Sequence, residues 1–307
     1  MSRRLLYLLL LLAVASALLF MRLPIMPTYA GRTIENAGHL PLFFLITLAI
    51  LFVLREWRPF KSGRFHDVYL YFAAGLAGIG SGFLSEVIQR GLSRDASWED
   101  VYSDAVGVVC ALAVHAVFHR TTTIGRGRRA IAAVIVVAGA VIYFMPMVTM
   151  VRAYLHRNGQ FPVLADFHSP VELAWTVSYG VRREIVDGAL HVEFVADEFP
   201  GLSFHEPMAD WRAYRWLVID VENPSAEPLT LGIRVHDIGH GRQYNDRFNR
   251  HVELPARERR QLRIALDDIR HGPKSRLMDM RRVSDITLFR AAATGSRQVY
   301  LHGMRLE

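Results

Sequence analysis

The sequence predicts an α-helical membrane bundle of about five transmembrane helices followed by an all-β jelly-roll sandwich. Long apolar runs fill the chain up to about residue 150, and short alternating runs broken by Pro, Gly, Asn and Asp fill the rest. The charges divide in the same way, since residues 1–150 hold 14 Lys/Arg against 8 Asp/Glu and residues 151–307 hold 22 against 21. Two such unlike halves exclude a single globular domain. We expect a transmembrane domain over 1–152 and a β-sandwich over 160–307.

Five apolar runs are long enough to cross a bilayer core, which takes about 17–25 residues of helix. They span 5–23, 38–54, 68–89, 101–118 and 130–150. The first run has a second interpretation as a cleaved signal peptide, because Ser2-Arg3-Arg4 precedes it and Ala15-Ser16-Ala17 resembles a cleavage site. The apolar run continues through Leu18-Leu19-Phe20, which favours a retained helix.

The loops between these helices differ in their basic residues. One alternating set holds Arg3, Arg4, Arg55, Arg58, Lys61, Arg64, Arg120, Arg126, Arg128 and Arg129, and the other holds Arg22, Arg32, Arg90 and Arg94. Because Lys and Arg concentrate in cytoplasmic loops, the larger set is predicted to be cytoplasmic. The protein is therefore expected to be a multi-pass cell-membrane protein with a cytoplasmic N-terminus, an extracytoplasmic β-sandwich and membrane lipid as a partner. Since the basic excess belongs to the membrane half, nucleic acid is not an expected partner.

Polar residues gather near the ends of three helices that this orientation brings to the outer face of the membrane. The candidate site residues are His39, Glu86, Gln89, Arg94, Asp100 and Asp104. Ionisable groups at a membrane are costly, so such a group suggests a functional site. The alternative is a salt-bridge network that holds the helix ends in place. Glu86 also continues a four-residue series of Ala74, Gly78 and Gly82, which predicts close helix packing.

These residues resemble the VanZ-like membrane family. The family pattern is E-x-x-Q, a short loop with Arg, and then D-x-x-x-N-x-x-G, and the matching positions are His39, Glu86, Gln89, Arg94, Asp100, Asp104 and Gly107. Asp104 departs from the pattern, because the family usually has Asn there. The resemblance covers residues 1–120 and implies an envelope protein of a family associated with resistance to glycopeptide antibiotics such as teicoplanin. It implies no defined reaction.

The second half contains seven runs with the length and alternation of β-strands. They are 190–196, 215–222, 229–236, 247–254, 259–266, 283–290 and 298–306. Short strands separated by turn signals are typical of an antiparallel sandwich or jelly roll. Alternation places Arg234 and His236 on one face of their strand, and Arg247 and Asn249 together on the next. The polar faces of these two strands predict a surface that is exposed to water.

The segment from 234 to 247 combines polar and aromatic side chains in a way that suits sugar recognition. The candidate ligand-binding residues are Arg234, His236, Asp237, Tyr244, Asn245 and Arg247. In such sites aromatic rings stack on the apolar faces of sugars while polar groups bind the hydroxyls. The alternative is a solvated hairpin loop. The region also resembles galactose-binding-like jelly rolls, as in carbohydrate-binding modules, which implies glycan binding without catalysis by this domain.

The sequence carries no hydrolase elbow, P-loop or dinucleotide fingerprint, and we expect no cofactor. His236, Asp237, His240 and His251 match no zinc spacing, so no metal is predicted. The leading hypothesis is an envelope protein that recognises or modifies cell-wall or lipid-linked glycan. The rival is an intramembrane enzyme with Glu86 as acid or base, His39 as its partner and Arg94 on a phosphate, with a metal held by Glu86, Asp100 and Asp104 as a variant. A purely structural tether is the third possibility.

Overall fold

The protein is seen here in a computed structural model that describes residues 28–56, 66–91, 98–118, 126–195, 200–241, 243–291, 295 and 297–307. The chain divides into two compact units, Met1–Val148 and Thr149–Glu307. The first unit is helical, and the second is a β-sandwich that also takes in the last turns of the longest helix.

Five helices make up the described part of the N-terminal half: α1 Tyr29–Ala37, α2 His39–Glu56, α3 His66–Gly91, α4 Trp98–Phe118 and α5 Arg126–Gln160. Four stretches are long and apolar enough to cross a membrane, namely Tyr29–Arg55, Asp67–Ile88, Asp100–Phe118 and Arg129–Gln160. Large apolar side chains such as Phe72, Leu76 and Val134 are more than half exposed on these helices, as expected for surfaces that face lipid. The predicted first helix, 5–23, lies outside the described residues, so four of the five predicted spans are found.

Small residues bring the membrane helices close together. A Cβ atom at Gly107 of α4 would lie 2.4 Å from the Leu40 carbonyl oxygen of α2, and one at Gly78 of α3 would lie 2.9 Å from a Val108 methyl group of α4. Neither position has room for a larger side chain. The four-residue series of α3 therefore packs against α4, as small residues do in membrane bundles.

Eleven strands are described in the second unit: β1 Val163–Ala165, β2 Thr176–Tyr179, β3 Val181–Val186, β4 Ala189–Phe194, β5 Gly201–His205, β6 Trp216–Asn223, β7 Leu229–Asp237, β8 Phe248–Leu254, β9 Glu258–Ala265, β10 Val283–Arg290 and β11 Gln298–Leu306. All seven strands predicted from alternation are present within two residues of the predicted ends. Strands β1, β2, β3 and β5 were not predicted. A 3₁₀ helix, Pro170–Trp175, precedes β2, and a short helix, α6 Leu266–Arg270, follows β9.

The strands form two antiparallel sheets. The six-stranded sheet has the order β3-β4-β11-β6-β9 with β1 beside β11, and the five-stranded sheet has the order β2-β5-β10-β7-β8. The chain crosses between the sheets repeatedly, from β4 to β5, from β6 to β7 and from β8 to β9, as in jelly rolls. The predicted all-β class is confirmed.

The core lies between the two sheets. Alternate residues of facing strands fill it, including Ile219 and Val221 of β6 and Leu231 and Ile233 of β7, all of which are fully buried. Burial of apolar surface supplies the main stabilisation, at about 25 cal/mol per Å². With one side of each strand in the core, the alternate residues must face outwards.

Candidate functional site

The outer side of the five-stranded sheet carries a contiguous set of polar groups. The register pairs Asp285 of β10 with His205 and His236, and pairs Thr287 with Ser203 and Arg234. Ile286 and Leu288 lie in the core, so Asp285, Thr287 and Phe289 face outwards together with their neighbours. We call this surface the polar face; it comprises Ser203, His205, Gly232, Arg234, His236, Asn249, His251, Asp285, Thr287 and Phe289.

A buried carboxylate lies at the centre of the polar face. Asp285 is only 2% exposed. The Thr287 hydroxyl donates to its Oδ1 at 2.6 Å, and His205 Nδ1 lies 2.9 Å from its Oδ2. The Ser203 and Thr287 hydroxyl oxygens are 2.8 Å apart. These contacts hold the central side chains in fixed positions, which favours a preformed binding surface.

His236 lies beside this carboxylate, in surroundings that disfavour its charged form. Its Nε2 is 3.8 Å from Asp285 Oδ1, and its ring stacks on His240 with centroids 4.6 Å apart. Burial lowers the pKa of His236 below its usual range despite the nearby Asp285 carboxylate. Its Nδ1 lies 3.3 Å from the Asp237 carbonyl oxygen and 3.1 Å from the Ser284 hydroxyl oxygen, which leaves Nε2 to accept a hydrogen bond from a hydroxyl group.

The ring of Phe289 on β10 lies against Gly232 of the neighbouring strand β7. A Cβ atom at Gly232 would be 2.2–2.5 Å from the ring of Phe289, so only glycine leaves room for that ring. The Arg234 guanidinium carbon lies 5.3 Å from the ring centroid, and the His251 ring meets its edge at 5.9 Å. The Phe289 ring therefore stabilises the position of the Arg234 guanidinium group by a cation–π contact.

The turn between β7 and β8 adds a second arginine and an exposed tyrosine. The Arg247 guanidinium carbon lies 5.2 Å from the centroid of the Tyr244 ring, and its Nε donates to Asn249 Oδ1 at 3.1 Å. Asn249 Nδ2 in turn donates to the Tyr244 carbonyl at 3.2 Å. Tyr244 is 62% exposed. The predicted residues Arg234, His236, Tyr244 and Arg247 thus belong to one region of the surface.

Two predicted residues stand apart from this surface. Both carboxylate oxygens of Asp237 accept bonds of 2.7 Å from Arg276, and Oδ2 also accepts from the Asp279 amide at 2.7 Å. Asp237 is buried, so its role in this geometry is to fix the loop before β10, and we leave it out of the polar face. Asn245 is exposed in the turn beside Tyr244, and its carbonyl accepts from the Lys274 amide.

The outer side of the six-stranded sheet is of a different kind. Its charges pair across neighbouring strands: Arg182 with Glu193 at 3.5 Å, Glu184 with His191 at 3.6 Å, Asp220 with Arg259 at 2.9 Å and Glu222 with His302 at 2.8 Å. Such partly exposed pairs are typical of an ordinary solvated surface. The two outer sides of the sandwich therefore differ in chemistry.

Sequence reasoning missed half of the polar face. Asp285, Thr287 and Phe289 alternate along a strand that was predicted, so the rule that grouped Arg234 with His236 applies to them as well. Ser203 and His205 lie on β5, which was not predicted. No sequence signal links Asp285 to His236, because the two strands are far apart in the chain and only the sheet order makes them neighbours.

The helical half brings together three of its predicted site residues. His39 Nδ1 of α2 lies 3.0 Å from Asp104 Oδ1 of α4. Ligand atoms of His39, Glu86 and Asp104 lie within 4.8 Å of one another, a spacing that could hold a metal ion. Glu86, Asp100 and Asp104 are buried. Arg94 and the side chain of Gln89 lie outside the described residues.

A second group of possible ligands, His156, Asp166 and Glu172, has a structural role. Glu172 Oε2 accepts from the Asp166 and Phe167 amides at 3.0 and 2.7 Å. His156 Nε2 lies 3.2 Å from Glu172 Oε1, and Gln160 Nε2 donates to the same oxygen at 3.3 Å. The buried carboxylate joins the last turns of α5 to the loop after β1. It needs no metal ion to satisfy it.

No family model matches the chain, and no curated protein matches it in sequence. Similar solved structures include a family 11 carbohydrate-binding module from Clostridium thermocellum in complex with a beta-1,3-1,4-mixed-linked tetrasaccharide; it shares 16% identity, with a TM-score of 0.38, over 47% of this chain and 93% of that chain. A variant of a family 29 carbohydrate-binding module complexed with cellulohexaose shares 13% identity, with a TM-score of 0.31, over 42% of this chain and 76% of that one. An exo-beta-agarase shares 14% identity, with a TM-score of 0.38, over 47% of this chain and 24% of its own length.

Proposed function

We propose that the protein is a membrane-anchored glycan-binding protein whose polar face binds a cell-wall or lipid-linked glycan. The observation that carries this proposal is the difference between the two outer faces of the sandwich. The outer side of the six-stranded sheet carries exposed pairs of opposite charges. The polar face instead holds hydroxyl, imidazole and guanidinium groups around the buried Asp285 carboxylate.

The chemistry of the polar face fits a sugar chain. Sugar hydroxyl groups need donors and acceptors close together. The imidazoles of His205 and His236, held beside the buried Asp285, and the Ser203 hydroxyl supply both kinds. The apolar faces of sugar rings need exposed aromatic rings. Tyr179 on the edge strand β2 and Tyr244 beyond β7 are 70% and 62% exposed, so the polar face has an exposed tyrosine towards each edge of its sheet.

The cellular setting of this activity is also a proposal. The basic residues of the loops support a β-sandwich on the outer side of the membrane. The spaced residues from His39 to Gly107 support a VanZ-like bundle in the cell envelope. Under this proposal the helices hold the sandwich next to envelope glycans, and the recognition contributes to envelope modification and to tolerance of glycopeptide antibiotics.

The test is binding of the full-length protein in detergent micelles to an array of envelope polysaccharides and lipid-linked precursors. We expect saturable binding that Tyr244→Ala and His236→Ala each weaken at least tenfold. The matched control is Tyr300→Ala, which removes a tyrosine from the outer side of the six-stranded sheet and leaves binding unchanged. Absence of binding by a folded wild type, or equal losses in all three variants, would contradict the proposal.

A second candidate function is supported by the meeting of His39, Glu86 and Asp104 in the helical half. An imidazole and two carboxylates within a membrane are suited to acid–base chemistry on a lipid-linked head group, or to holding a divalent cation. Under this candidate Glu86→Gln abolishes activity on the head group at normal protein abundance. Under a structural role the same change lowers the abundance of folded protein. The measurement pairs quantitative immunoblotting with a phenotypic assay for antibiotic tolerance.

A further inference from the structure

The polar face has more positive charge than its own carboxylates can balance. Arg234 and Arg247 both belong to this region, and Asp285 is the one carboxylate among the outward residues of the three central strands that the structure describes. Asp285 is already enclosed by His205 and Thr287. A bound anion would neutralise the excess positive charge of the polar face.

Neighbouring carboxylates are engaged elsewhere. Asp237 and Asp246 both bind Arg276, at 2.7 and 2.6 Å. Glu253 faces outwards on β8 but is six residues from Arg247, about 20 Å along an extended strand. Hence no described carboxylate forms an ion pair with either arginine of the polar face.

Arg234 forms no ion pair among the described residues. Its Nε is buried and has no hydrogen-bond partner among the described residues. Its guanidinium carbon lies 5.3 Å from the centroid of the Phe289 ring. Burial lowers the pKa of Arg234, and the charge of Asp285 offsets this only in part. A buried donor without an acceptor is costly, and the cost is higher for a charged group. Stacking on a ring holds the guanidinium in place and leaves its hydrogen-bond donors available.

Arg247 lies near enough to Arg234 for the two charges to repel each other. Burial lowers the pKa of Arg247, and the charge of Arg234 lowers it further. Arg247 uses its Nε on Asn249, which leaves the terminal nitrogens of its guanidinium group for a ligand. Two neighbouring guanidinium groups, each backed by an aromatic ring, are arranged as in sites that recognise carboxylate or phosphate.

We propose that the glycan bound by the polar face is acidic, and that Arg234 and Arg247 together bind a carboxylate or phosphate group on the sugar chain. This inference rests on the proposed glycan-binding function. In this arrangement the hydroxyl groups of the sugar meet His205 and His236, which flank the buried Asp285, while the acidic group meets the two arginines. Neutral glycans fill the first set of contacts and provide no anion for the terminal nitrogens of the two guanidinium groups.

The experiment compares matched acidic and neutral ligands on the full-length protein in detergent micelles. One pair is an oligogalacturonate and its carboxyl-reduced product, and the other is a phosphorylated mannose oligomer and its dephosphorylated product. Calorimetry measures each dissociation constant at low and high salt. We expect the wild type to bind the acidic member of one pair at least tenfold more tightly, and this preference to shrink as salt screens the charges.

The variants are Arg234→Gln, Arg234→Lys and, as a matched control, Arg250→Gln. Arg250 is on the same strand as Asn249 but lies on the other side of the strand and pairs with Asp268 at 3.5 Å, so its loss changes net charge equally. We expect Arg234→Gln to lower affinity for the acidic ligand about 10- to 100-fold, as for loss of a charged hydrogen bond, and to lower affinity for the neutral ligand much less. Arg234→Lys retains part of the preference, and Arg250→Gln retains all of it.

The outcomes separate this inference from the function on which it rests. Equal affinity for acidic and neutral ligands overturns the inference and leaves glycan binding intact. Equal losses in Arg234→Gln and Arg250→Gln also overturn it, since they indicate general charge attraction. Failure of a folded wild type to bind any glycan of the array overturns the proposed function. Thermal unfolding of each variant verifies that it is folded.

Discussion

Replacing Gly232 with alanine is expected to destabilise the β-sandwich, although alanine is normally the better strand residue. The added Cβ would lie 2.2, 2.4 and 2.5 Å from three carbon atoms of the Phe289 ring. Ordinary contacts between carbon atoms are about 3.5–4.0 Å, so the ring must move by more than 1 Å. Phe289 is 8% exposed and is flanked by Arg234 and His251, so this movement disturbs the polar face.

The size of the effect follows from two opposing contributions. Overpacking costs about 1–3 kcal/mol, whereas replacing glycine in a strand gains about 0.5–1 kcal/mol. The net result is a loss of roughly 1–2 kcal/mol. In a unit of this size the melting temperature falls about 2–4 °C per kcal/mol. We therefore expect the melting temperature of Gly232→Ala to be about 2–8 °C below that of the wild type.

The assay is thermal unfolding of the full-length protein in detergent, with Gly239→Ala as the matched control. A Cβ atom at Gly239 meets nothing closer than 3.6 Å, so this variant should match the wild type. In a Phe289→Ala background the Gly232→Ala change should cost nothing, because the ring is gone. If Gly232→Ala is as stable as Gly239→Ala, or more stable, the described packing of Phe289 is wrong.

Three further variants test other parts of the structure. Arg276→Met should destabilise the sandwich by about 3 kcal/mol, because it removes the partner of the buried Asp237. Arg276 holds the pKa of the Asp237 carboxyl below its usual range despite burial, so the stabilisation is complete above about pH 4 and is lost as the pH falls through the folded pKa. Urea titrations of wild type and variant should therefore converge in acid. Gly107→Leu should lower the yield of folded protein in detergent because its side chain would strike the Leu40 backbone, whereas Gly80→Leu, which meets open space, should not. Thr287→Val should lower the free energy of unfolding by about 1–3 kcal/mol in urea titration, since Asp285 loses a buried donor.

The elements that the sequence predicted are those with a strong local signal. Strand β7 alternates strictly from Leu229 to Val235, and the membrane helices are long and apolar, so periodicity alone was sufficient. Strands β2 and β3 are separated by Gly180 alone, and β5 has five residues of which Gly201, Leu202 and Phe204 are buried. The four residues of β2 and the five of β5 are too few for alternation to be recognised, and the β3 sequence Val-Arg-Arg-Glu-Ile-Val does not alternate between apolar and polar residues.

The candidate site was predicted only where its residues are close in the chain. Arg234, His236 and Arg247 lie within fourteen residues of each other and were grouped by alternation. Asp285 contacts His205 only because β10 lies between β5 and β7, and strand order does not follow from local patterns. Asp237 looked like a ligand-binding residue beside His236, but alternation directs it to the opposite side of the strand, where Arg276 binds it.

The measurement that tests the account most directly is carbene footprinting of the full-length protein with and without a saturating glycan. This method reports which side chains the ligand covers. We predict protection of peptides from β5, β7, β8 and β10, centred on His205 and His236, with no change on β3, β4 or β9. Protection of the outer side of the six-stranded sheet instead, around Tyr300 and His302, would contradict the assignment of the polar face as the glycan-binding surface.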